Sequence, residues 1–160
     1  LICTHDMKRR SKPITTRLRL AFLCYSLAIV AWAAIGLLYF FRSEFMPYHA
    51  QAAGKSWADL DPGLRWLLLA YLKFMGGAWL AVSLAVGIML FIPFRRGESW
   101  ARLAIPLVGL VSLGTALYGT LLVTFNTSAS PPWLVSALGV LLMIVGFLLS
   151  LGQGSRLRTD

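Results

Sequence analysis

Acidic side chains are scarce in this chain: six Asp and Glu stand against fifteen Lys and Arg in 160 residues, for a formal net charge of +9. No acid falls inside a long apolar run, which excludes a small proton-coupled exporter built on a membrane-embedded carboxylate. Histidine is as rare. His5 lies near the start and His49 in a polar stretch, so the apolar runs hold no imidazole for a haem iron. The two cysteines, Cys3 and Cys24, form no Cys-x-x-Cys pair, which excludes thiol–disulfide catalysis and leaves Cys24 as a small packing residue. Glu44, His49, Asp59 and Asp61 share one stretch, yet their spacing matches no metal-ligand pattern. No catalytic residue, metal or cofactor is assigned.

What the chain has is apolar length. It is 58% hydrophobic and 13% charged, with a mean hydropathy of +0.73, far from the balance of a domain with a wetted surface. Crossing a hydrocarbon core takes about 20 helical residues. Four runs qualify, at 20–41, 66–92, 103–125 and 133–151, and they predict an all-α, polytopic four-helix bundle forming a single membrane domain over 1–160. Residues 1–6 precede Met7 and are set aside as a leader or a mis-started segment. Met7-Lys8-Arg9-Arg10 with Ala31-Trp32-Ala33 has the outline of a signal peptide, but the apolar run continues to Phe41 and reads as an uncleaved anchor.

The cations sit at the ends of the runs rather than among stacking aromatics, so they point to a membrane and not to nucleic acid. Lys8, Arg9, Arg10, Lys12, Arg17, Arg19, Arg95, Arg96, Arg102, Arg156 and Arg158 share one side if the spans alternate; Arg42, Lys55 and Arg65 take the other. The positive-inside rule then puts both termini in the cytoplasm. The stretch Glu44–Arg65 becomes an outward loop.

Local signals support these limits. Gly97 suits a left-handed helix end, Ser99 a helix N-cap, and Pro131-Pro132 the start of the fourth span. Gly76, Ser83 and Gly87, then Gly109, Ser112, Ala116 and Gly119, then Ser136, Gly139, Gly146 and Ser150 form small-residue stripes on the later spans. Such stripes join helices in lipid, within one bundle or between copies. The layout, with "GGAWLA" in the second span and the basic turn "FRRGESWAR", resembles small bacterial four-helix inner-membrane proteins of the DoxX-like kind. That resemblance implies a bacterial cytoplasmic membrane and carries no activity.

One charge lies within a span. Lys73 is seven residues past Trp66, roughly 10 Å along the helix, and Tyr118 has nearly the same depth counted back from Phe125. Two readings stand: the lysine stem snorkels to the headgroups, or ammonium and phenol meet in a pocket. Over them, Glu44–Arg65 reads as a structured lid, with Asp61-Pro62 opening a helix and Tyr48 and Trp57 as interface anchors. Lys73, Tyr118, Glu44 and His49 are therefore the candidate ligand-binding residues. The leading expectation is a non-enzymatic protein that binds a lipid-like or quinone-like molecule or serves as accessory subunit of a membrane complex, with membrane lipids, a second copy or a complex subunit as partners. The competing class is an enzyme or transporter using the same residues.

Overall fold

The computed structural model describes residues 16–151; residues 1–6, the basic clusters near each terminus, Cys3 and His5 lie outside them. The order is α1 (Thr16–Phe41), α2 (Pro47–Ala53), a 3-10 turn (Trp57–Asp59), α3 (Pro62–Met89) continuing as a π-helical segment (Leu90–Phe94), α4 (Ser99–Asn126) and α5 (Trp133–Leu151). Four of these helices are long and apolar enough to cross a membrane, the mark of a multi-pass membrane protein.

α1, α3 and α4 begin about one turn before their apolar runs, α3 and α4 with caps in the polar flanks, while α5 begins with its run at Trp133. Asp61 accepts a 2.8 Å hydrogen bond from the Gly63 amide and Pro62 supplies the first helical φ. At the other turn, Glu98 rather than Ser99 occupies the cap position, and its carboxylate accepts from the Trp100 indole at 2.6 Å. Gly97 holds φ +79, the left-handed conformation that turns the chain there. Just before it, Pro93 removes an amide from the helical ladder, and the last turn of α3 widens to π geometry.

Helices adjacent in sequence are not always neighbours in space. α1 packs against α3 on one side and α5 on the other, and α4 closes against α5. Glycines set the closest approaches. A Cβ at Gly76 would stand 2.6 Å from the Phe40 amide nitrogen and 2.8 Å from the Gly36 carbonyl. Gly109 receives Met143, Gly139 receives Leu113 and Gly146 receives the Tyr25 ring. In lipid there is no hydrophobic force between helices, so such van der Waals contact does the joining. Gly87 and Gly119, members of the same sequence stripes, meet nothing within 4 Å. The main core gathers Tyr25, Trp32, Leu90, Ile105 and Met143, all nearly inaccessible, with residues of all four long helices.

This geometry separates two substitutions that look alike in sequence. Gly76→Ala is expected to cost about 1–3 kcal/mol by forcing α1 and α3 apart, read as a lower midpoint of unfolding in detergent. Gly87→Ala, with open space around it, is expected to leave that midpoint unchanged or slightly higher.

Candidate functional site

Between α1 and α3 the chain folds into a lid. Met46 donates its amide to His49 Nδ1 at 3.3 Å at the start of α2, and Gly54 ends the helix at φ +63. Arg65 then ties the 3-10 turn to α3 by donating from Nε to the Leu60 carbonyl at 2.9 Å and from Nη2 to the Ala58 carbonyl. Phe45, Leu60 and Leu72 are buried together, with Tyr39, Ala50, Trp57 and Leu68 around them, so apolar packing glues the lid to α1 and α3. On its far side, Gln51 of α2 accepts a 3.4 Å bond from the Ser130 amide in the α4–α5 turn. The lid therefore spans one end of the bundle.

Lys73 is placed by the close crossing of α1 and α3. Its half-buried ammonium donates to the Arg42 carbonyl at 2.6 Å and to the Phe40 carbonyl, with the Phe40 ring 5.9 Å away. The final carbonyls of a helix have no partner within it and carry its negative dipole end, so a cation from the neighbouring helix meets both needs. Tyr118 stands elsewhere on α4, 68% exposed. Equal depth in two spans does not put two residues face to face, and α3 packs mainly on α1. Glu44 is exposed in the turn before the lid. Of the four sequence candidates, His49 alone joins a cluster of polar aromatic side chains, with Tyr39 and Tyr48.

That cluster was not foreseen. The Tyr39 and Tyr48 hydroxyls share a hydrogen bond, and His49 lies 4.2 Å from the Tyr48 ring and 6.3 Å from the Tyr39 ring, centroid to centroid. Tyr48 and Trp57 are half-buried, Trp57 edge-on to Phe45 at 5.1 Å. Tyr39 in turn packs on Trp79 at 5.1 Å. Trp79 also lines a cleft of about 80 Å³ with Trp32, Ile35, Leu113, Gly139 and Leu142, drawn from all four long helices. Its remaining walls include Ala31, Val135 and Leu138, which are exposed, so the cleft opens sideways between helices. Sequence held one signal: Trp32, Ile35 and Tyr39 fall at i, i+3 and i+7, a single helix face.

Among the described residues no three His, Cys, Asp or Glu side chains converge. Comparison with family models, with curated proteins and with solved structures finds no match for this chain. The site is therefore read from its own chemistry. Burial pushes the His49 imidazole below its ordinary value of 6.5 and the Tyr48 phenol upward, the latter reinforced by its bond to Tyr39. With Nδ1 accepting from the Met46 amide, the neutral His49 ring carries its proton on Nε2. Outside the cluster, the Ser56 hydroxyl at 2.6 Å holds the Asp59 carboxyl below its usual range.

Two measurements check this construction. Lys73→Leu leaves the α1 carbonyls unpaired and is expected to lower stability by about 2 kcal/mol, while Lys73→Arg keeps most of it; equal stability of Leu and wild type would remove the capping role. His49 titrates lower folded than unfolded, so its contribution is whole above 6.5 and is lost as pH falls below it. Protection factors for amide exchange in Pro47–Ala53, taken against the intrinsic rate at each pH, are expected to fall on acidification through that window, and His49→Gln to flatten the dependence.

Proposed function

We propose that this small multi-pass membrane protein is a non-enzymatic binder of one amphipathic molecule, lipid-like or quinone-like, its tail in the cleft and its polar head beneath α2. The observation that carries this reading is the double role of Trp79, one wall of the apolar cleft and the platform for Tyr39. Ligand sites pair an apolar lining with a few placed polar groups, and here Tyr39, packed on the Trp79 wall, joins the cleft to the Tyr39–Tyr48 pair and to His49 with its Nε2 proton. An opening through exposed Ala31 and Leu138 suits a molecule arriving from the hydrocarbon layer rather than from water.

The enzyme or transporter alternative asked Lys73 and Tyr118 to act together, and it has less to stand on: Lys73 is committed to the end of α1 and Tyr118 faces outward. A second reading, an accessory subunit of a larger complex or a homo-oligomer, is favoured by Gly114 and Gly119, glycines of α4 with open space around them. The cation distribution favours both termini on the cytoplasmic side with the lid outside; a bacterial membrane rests on the resemblance in layout alone.

Native mass spectrometry of the gently extracted protein is expected to show one retained lipid or quinone. Ala31→Phe, which plugs the cleft from an exposed position, is expected to remove it while leaving unfolding unchanged; full retention in that variant would sink the proposal. Orientation is checked separately by a cysteine at Lys55, which an impermeant thiol reagent is expected to label in intact cells.

A further inference from the structure

A second concavity, sharing no lining residue with the Trp79 cleft, lies where the lid meets the start of α3. It is a groove of about 250 Å³ lined by Ser43, Trp57, Pro62, Arg65, Trp66 and Leu69. Its chemistry differs from that of the cleft. Arg65 uses two of its N–H groups on the Leu60 and Ala58 carbonyls, which fixes the guanidinium and leaves three donors in a planar fork uncommitted. Of the two neighbouring carboxylates, Asp59 accepts from the Ser56 hydroxyl and also feels the Arg65 charge, and Asp61 accepts from the Gly63 amide; neither makes a hydrogen bond to Arg65. Ser43 adds a hydroxyl donor at the rim. Lys73, one turn beyond Leu69 on the same face of α3, brings a second positive charge to the carbonyl of Arg42, the residue before Ser43.

We infer that this groove binds the phosphate of an anionic membrane lipid, held by the Arg65 fork and the Ser43 hydroxyl between the Trp57 and Trp66 indoles. A planar guanidinium matches phosphate oxygens two at a time, which a point charge does not. A lipid rather than a free anion follows from what adjoins the groove. Trp66, Ala70 and Phe74 stand at i, i+4 and i+8, all exposed, with Trp66 at 73% and Phe74 at 72%, so an apolar track runs along α3 directly from the headgroup position. Tryptophan at this level is the residue expected at the boundary between headgroups and hydrocarbon. The site is independent of the cleft, and its ligand is a lipid recognised by charge.

The test uses the full chain in detergent, with phosphatidylglycerol and phosphatidylcholine added in equal amounts and bound lipid counted by native mass spectrometry. Wild type is expected to prefer phosphatidylglycerol by about tenfold, the worth of one strong charge-assisted contact. Arg65→Gln is expected to abolish the preference. Because Arg65 also braces the lid, Ser43→Asp supplies the second arm: it places a negative charge in the groove from an exposed position and leaves the Arg65 bonds intact. Loss of the preference in Ser43→Asp, with the unfolding midpoint unchanged, supports the site. Equal binding of both lipids by wild type, or an undiminished preference in Ser43→Asp, overturns it. Displacement of phosphatidylglycerol by inorganic phosphate would also overturn it, since the groove would then be a free-anion site.

Discussion

The contact on which the structure depends is the crossing of α1 and α3 at Gly36 and Gly76. Two backbones meet there with no side chain between them, close enough that one added carbon would collide with main-chain atoms. Three consequences follow from that one distance. The end of α1 comes within reach of Lys73. The segment between the helices is short of room to wander and folds back over their ends as the lid. And α1, held tightly to α3, presents its other face to α5, which makes the first helix the middle layer of the bundle.

In a hydrocarbon setting, polar atoms must find partners inside the protein or at its ends. Ser83, Thr115, Thr120 and Thr124 do so individually, each donating to a carbonyl about one turn back in its own helix. Lys73 does so between helices. The buried Tyr25 and Ser26 hydroxyls and Arg42 Nε find no such partner, while the lid gathers Tyr39, Tyr48, His49 and Arg65. The apolar interior supplies shape and the lid supplies polarity.

How much of this was readable beforehand depended on whether the signal was local. Four apolar runs, the Asp61-Pro62 start and the Gly97 turn are each written in a few neighbouring residues, and the structure contains them all. The pairing of Lys73 with Tyr118 needed more than that. Counting residues gives depth in a membrane but neither the direction a side chain takes around its helix nor which helix stands next to it. The same limit hid the sorting of the glycines: Gly76, Gly109, Gly139 and Gly146 touch neighbours whereas Gly87 and Gly119 do not, although their spacing alone is equivalent. Trp79 was passed over because an aromatic residue in an apolar span is ordinary until its neighbours are known.

The central position of α1 also bears on how the chain assembles. Tyr25 near the beginning of α1 nests against Gly146 near the end of α5, so one of the tightest contacts in the core joins parts of the chain almost as far apart as the described residues allow. Contacts of such long sequence separation form late, since the intervening loop must close before they can contribute. During synthesis the first helix emerges with one flank still bare, and it stays so until the last helix is made. A chain truncated before α5 would therefore carry a helix whose natural partner never arrives, an exposed surface of the kind that quality-control machinery acts upon.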